Sequence, residues 1–179
     1  SQYVLMYFAD VNDPGMLVFP THRLLHHWPN LDWSNFISQL RGIFDVEVFR
    51  RDNKDNFVKI LKDETGNNHV FGLISREDPE HYYLLTLDND KAINLPELQD
   101  VQEPLRKLDA GILHHLIFRK LLNMSDEEQR DPSHMAFMKE EKKAWERIDS
   151  PDTNALFLMQ SPKMCQIQEV AEAGLIMPP

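Results

Sequence analysis

Side chains able to do chemistry concentrate in one short stretch, Pro20-Thr21-His22-Arg23, with His26 and His27 close behind. An imidazole, a guanidinium and a hydroxyl side by side can hold a phosphate or a carboxylate, because arginine forks onto both anions. The stretch follows an apolar run that reads as a buried strand, and polar groups at strand ends are where α/β folds bind ligands. Thr21, His22 and Arg23 are therefore the expected ligand-binding residues, with Asp10 as a polar partner. The competing reading is structural: with 29 acidic residues in the chain, Arg23 pairs with a surface acid and Thr21 caps a turn.

Other candidates are weaker. His22 and His26 would share a helix face at the i, i+4 spacing, but no cysteine or acidic ligand completes a set and the H-E-x-x-H pattern is absent, so no metal is expected. Asp10 with Asp13, and Asp88 with Asp90, could act as acid and base or hold magnesium. Each pair sits among the Asn, Pro and Gly of ordinary turns. His114 and His115 follow Leu113, and one of them must point near the core, where a hydrogen-bonded histidine is the default. Cys165 has Met164 and Ile167 for neighbours and no activating base. There is no G-x-S-x-G elbow, no Walker A loop and no G-x-G-x-x-G, and six glycines leave little material for a backbone phosphate cradle.

The elements that must position these residues follow from periodicity. Tyr3 to Phe8 and Met16 to Phe19 read as two buried strands around the Asn12-Asp13-Pro14-Gly15 turn, an antiparallel hairpin. Asn30 or Asp32 caps a helix carrying Phe36, Ile37, Leu40 and Ile43. Val46 and Val48 mark a strand, and Phe57, Ile60 and Leu61 a short helix stopping near Gly66. His69 to Ile74 and Tyr82 to Leu87 are strands about the Asp78-Pro79 turn. A long helix capped by Asp109 runs to Asn123 with Ile112, Leu113, Leu116, Ile117 and Leu121 inward. Then come a strand at Met135–Met138, a helix at Glu140–Ile148, a strand at Ala155–Met159, and a helix opened by Ser161-Pro162 with Met164, Ile167, Val170 and Ala171 inward. The last four favour a strand–helix–strand–helix crossover. The fold class expected is α/β: a mixed sheet with an N-terminal antiparallel hairpin, a C-terminal crossover and helices packed on the sheet. Residues 1–179 form one such domain, with a hinge at 124–133.

Composition sets outer limits. The chain has 179 residues, 42% apolar and 27% charged, enough for a core without staples. The net charge of −10 repels a phosphate backbone or an anionic membrane, so neither nucleic acid nor membrane is an expected partner. Lys139, Lys142 and Lys143 alternate with Glu140 and Glu141, a solvated helix face. One cysteine permits no internal disulfide and fits a reducing cytoplasm. No apolar run approaches bilayer length, and Ser1 to Asp10 lacks the marks of a signal peptide. Both ends look cut.

Tyr7-Phe8-Ala9-Asp10, Asp13-Pro14-Gly15 and Leu17-Val18-Phe19-Pro20-Thr21-His22-Arg23 resemble a widespread bacterial and archaeal family known as domain of unknown function 1015. So do His69-Val70-Phe71-Gly72-Leu73, Leu108-Asp109-Ala110-Gly111-Ile112-Leu113-His114, and Val170-Ala171-Glu172-Ala173-Gly174 with Met177-Pro178-Pro179. Its most specific piece is Pro-Thr-His-Arg. The resemblance implies the C-terminal half of a protein about twice this long. An upstream Asp-Gly-His-His-Arg motif, similar to motifs of ParB-like partitioning proteins and sulfiredoxins, would then lie in the other half. By that analogy the intact protein is a nucleotide-dependent, phosphotransfer-type enzyme acting on a small molecule. This chain would hold no cofactor of its own, contribute an anion-binding part, and have its own N-terminal half as partner. The rival reading is a non-catalytic binding module or one that self-assembles as a homo-oligomer.

Overall fold

The computed structural model describes residues 5–6, 10–11, 13, 15–29, 31–63 and 68–178. Its elements, in chain order, begin with β1 (His22–His26), α1 (Trp33–Arg41), β2 (Asp45–Arg50) and α2 (Lys54–Asp63). Next are β3 (Asn68–Ser75), β4 (His81–Asp88), α3 (Asn89–Ile93), α4 (Glu103–Arg106) and α5 (Asp109–Ile112), which continues as a π-helix over Leu113–Leu121. The chain closes with β5 (Met135–Met138), α6 (Glu141–Arg147), β6 (Thr153–Leu158) and α7 (Met164–Glu172).

The six strands form one sheet in the order β2-β4-β3-β6-β1-β5. The α/β class is as expected, and so is the crossover from β5 through α6 to β6. β1 lies between those two strands and pairs antiparallel with both, so β5 and β6 run parallel to each other without touching. Every neighbouring pair in the sheet is therefore antiparallel.

Helices cover both faces. On one, α1 and the α5/π-helix unit pack on Leu25, Phe71, Leu73, Leu85 and Phe157. On the other, α2 and α6 pack on Leu24, Val70, Ile74, Leu84 and Leu156. Alternate residues of a strand face opposite sides, so Leu24 and Leu25, both fully buried, anchor different cores. Gly72 lets α2 lie close: a Cβ there would meet Phe57 at 2.9 Å and Leu158 at 3.1 Å. The edge strand β2 keeps Asp45, Glu47 and Arg50 exposed, which protects its open side from pairing with other chains.

Several expectations shift. Of the first expected strand, Tyr3, Val4, Tyr7 and Phe8 lie outside the described residues, while Leu5 and Met6 are exposed and form no strand. Met16–Phe19 carries no strand either, and Leu17 and Phe19 are 74% and 62% exposed. Of the turn expected between them, Asn12 and Pro14 lie outside the described residues, and Gly15 N donates to Asp13 Oδ1 at 2.8 Å. The buried strand is the more polar His-Arg-Leu-Leu-His that follows, which, unlike Met16–Phe19, sends one leucine to each core. The long helix from Asp109 is present but widens at Leu113 into i→i+5 bonding, seen where Leu122 N donates to Ile117 O at 3.0 Å. The wider turn brings Phe118 inward beside Leu113 and Ile117. At the C-terminus α7 starts at Met164, two residues past the Ser161-Pro162 signal, and Ala171 is exposed.

Within residues 124–133, Met124 and Gln129 are buried, and Gln129 Nε2 donates to Met124 O at 3.3 Å. Among the described glycines Gly111 has the least room, since a Cβ there would sit 2.0 Å from the backbone oxygen of Leu105. Gly111→Ala must push α5 off the preceding turn, which should cost about 1–3 kcal/mol. Urea unfolding checks this; an unchanged midpoint would contradict the close approach.

Candidate functional site

β1 settles how the expected site residues are arranged. Arg23 shares Leu25's face of the sheet, and His22 shares Leu24's. Thr21 and Arg23 line one hollow together with Leu108, Asp109 and Gln166. His22 lines a different hollow with Leu61, Lys62 and Glu141. Asp10 is exposed, its carbonyl accepting from Asp13 N at 3.0 Å, and it lines neither hollow. Thr21 and Arg23 thus come together, and His22 is turned away from both by the two-residue period of the strand.

Arg23 is 4% exposed; its Nη1 donates to Thr21 O at 2.8 Å and its guanidinium lies 5.8 Å from the centre of the Phe137 ring. Burial pulls its pKa down to about 10, and the charge of Asp109 works against that pull. It remains a cation at neutral pH, held beside a carboxylate.

That carboxylate has a second partner. Asp109 was expected to cap its helix, but the capping position is Leu108, with no side-chain cap. Asp109 Oδ1 instead meets His69 Nδ1 at 2.8 Å. His69 is 4% exposed at the start of β3, and its Nε2 is buried without a hydrogen-bond partner among the described residues. A carboxylate on Nδ1 holds the neutral ring with its proton on that nitrogen and leaves Nε2 as an acceptor. This is the arrangement of a positioned proton acceptor.

The pair opens on a hollow of about 320 Å³ lined by Asn68, His69, Asn89, Asp109, Ser161 and Lys163, among others. Asp109, Gln160 and Gln166 belong both to it and to the smaller hollow, of about 110 Å³, that holds Thr21 and Arg23. The two hollows adjoin across these residues and together make up the candidate cleft. Gln166 fixes its wall: Oε1 accepts from Lys163 N at 2.8 Å, and Nε2 donates to Lys107 O at 2.7 Å. Lys107 is engaged by Glu103 at 3.0 Å and Glu169 at 3.5 Å, and the Glu103 bond raises its pKa.

Sequence reading placed His69 in a strand and Asp109 at a helix cap and did not join them. The available signal was that both lie in stretches singled out by the family resemblance, each at the first turn or first residues of its element. His114 and His115 stack edge-to-face at 4.6 Å, and His114 Nε2 lies 3.4 Å from Asp126. Cys165 is exposed on α7. Among the described residues no group of three His, Cys, Asp or Glu is placed to hold a metal, and no helix is long and apolar enough to cross a membrane.

Burial lowers the pKa of His22, His26 and His114, and lowers that of His115 to about 4. These rings fold neutral, so the unfolded chain binds more protons between their depressed pKa values and the usual 6.5. Stability is fully present above that value and is lost as pH falls through the window below it. Carboxylates held low, Asp78 and Glu141 among them, add their loss only further down. The melting temperature should be level from pH 8 to about 7 and decline below about 6.5, with a shallower decline in His115→Gln. A flat profile down to pH 5 would show the rings are not buried neutral.

A family model described as Protein of unknown function (DUF1015) matches residues 1–111, a span that includes Thr21, Arg23, His69 and Asp109. No curated protein and no solved structure matches the chain.

Proposed function

This chain belongs to the DUF1015 family of proteins of unknown function, and we propose that its cleft binds a hydroxyl-bearing anionic small molecule and accepts the hydroxyl proton on His69. The observation that carries this reading is the His69–Asp109 pair, with Nδ1 occupied at 2.8 Å and Nε2 buried and unpartnered. A buried acceptor without a donor costs roughly 1–3 kcal/mol. A ligand hydroxyl reaching Nε2 recovers that cost and, with the proton drawn off, gains nucleophilicity toward an electrophilic group. Arg23 and Lys163 supply positive charge from two sides of the cleft, and Asn68, Asn89 and Ser161 supply neutral hydrogen-bonding groups. With Lys107 added, these cations outnumber the lining carboxylates of Asp109 and Glu169 by one, a balance that favours a single phosphate or carboxylate on a polar body over a polyanion.

This revises the anion site expected from sequence. Thr21 and Arg23 stay in it, His69 and Asp109 replace His22 as the imidazole partner, and Asp10 drops from the lining. The electrophile for a phosphotransfer-type reaction, such as a nucleotide, would be met by the family's upstream half. An exposed lone thiol at Cys165 fits a reducing, cytoplasmic setting. A second reading, a docking or self-assembly module, is favoured by the exposure of Leu5, Met6, Leu17 and Phe19.

Titration calorimetry with glycerol 3-phosphate tests the first reading. Saturable binding is expected at about 1 mM or tighter, weakened about tenfold, or 1.4 kcal/mol, in both Arg23→Gln and the surface variant Lys163→Ala. Glycerol alone should bind far more weakly. No saturation by about 10 mM, well past the affinity expected, or an affinity in both variants unchanged from that of the native chain, would overturn it.

A further inference from the structure

His22 lines the hollow on the opposite face of the sheet from the His69–Asp109 pair. His22 is 2% exposed, and its Nδ1 accepts from the backbone N–H of Met159 at 3.1 Å. The proton of the neutral ring must then sit on Nε2, which is buried with no partner among the described residues. His69 on the other face leaves an acceptor unpartnered, and His22 leaves a donor. Burial depresses the pKa of His22, against the charge of Glu141, and so keeps the ring in this neutral form.

The walls set what would fit. The hollow has a volume of about 390 Å³, and Pro20, Leu61, Leu158 and Met159 make most of it apolar. Its two charges cancel: Lys62 Nζ meets Glu141 Oε2 at 2.8 Å. An anion entering would meet Glu141 and lose its water without a free cation in return, and a cation would meet Lys62. A neutral molecule pays neither cost.

We infer that this hollow is a second binding site, for an uncharged ligand that carries a carbonyl acceptor on an apolar body and takes the Nε2 proton of His22 as its hydrogen-bond donor. It is separate from the cleft of His69 and Asp109 and does not depend on that cleft's chemistry. The two sites share the segment after β6, since Met159, Gln160 and Ser161 reach into both.

Benzamide and benzoate have one shape and differ in charge, which makes them suitable probes. Long-range proton–nitrogen NMR of the imidazoles should show the Nε2-protonated form of His22, with its signals moving saturably as benzamide is added. Benzoate should leave them in place. His22→Phe keeps the ring and removes the donor, and should weaken benzamide at least tenfold. Because that change also removes the Met159 bond, Lys62→Trp provides the independent variant: the Lys62 side chain is 62% exposed at the mouth, and an indole there should block entry with His22 intact. No shift with benzamide, an equal shift with benzoate, or full binding in Lys62→Trp would each overturn the proposal. The glycerol 3-phosphate titration reads the other cleft, so either site can fail alone.

Discussion

Neighbouring residues of an extended strand face opposite ways, and β1 lies inside its sheet with helices on both sides. The rest of the architecture follows from this constraint. Leu24 and Leu25 nail the strand to two different cores. The polar residues around them are divided in the same way, His22 to one hollow and Arg23 to another. A strand this polar survives inside the sheet because each polar side chain finds at least one bond close by. His22 takes the Met159 N–H, Arg23 gives to the Thr21 carbonyl, and His26 Nδ1 meets Thr153 Oγ1 at 3.1 Å. Each such bond contributes only about 1 kcal/mol net, but leaving its groups unsatisfied would cost more.

The cleft on the Arg23 face is assembled from distant parts of the chain. β3 supplies His69, the start of α5 supplies Asp109, and the segment between β6 and α7 supplies Gln160, Ser161 and Lys163. The approach of α5 depends on Gly111, and the position of α7 depends on the double hydrogen bond of Gln166. A burial-driven arrangement thus brings a cation, a carboxylate and an imidazole, Arg23, Asp109 and His69, to the same end of the fold. The carboxylate serves both neighbours: it offsets the desolvation of the guanidinium and orients the ring.

Much of the architecture was legible in residue order. β3, β4, α1 and the β5–α6–β6 crossover stand where hydrophobic periodicity and turn residues put them, because in these segments local pattern and final burial agree. β1 was not legible. Periodicity ranks Met16-Leu17-Val18-Phe19 above His22-Arg23-Leu24-Leu25-His26 as a buried strand, and only tertiary partners reverse that order. The candidate cleft was half legible. Thr21 and Arg23 could be picked by residue type, whereas the 40-residue separation of His69 from Asp109 hides their pairing from any local reading. Asp109 also fits a helix cap so well by position that its sideways bond is invisible without the sheet.

The candidate cleft depends on which nitrogen of His69 carries the proton. Long-range proton–nitrogen NMR at a pH where the ring is neutral reads this directly. The structure predicts protonation at Nδ1, a bare Nε2, and loss of that preference in Asp109→Asn, with His22 showing the opposite tautomer in the same spectrum. A proton on Nε2 of His69 in the native chain would mean that Asp109 does not hold the ring, and the cleft would have no positioned base.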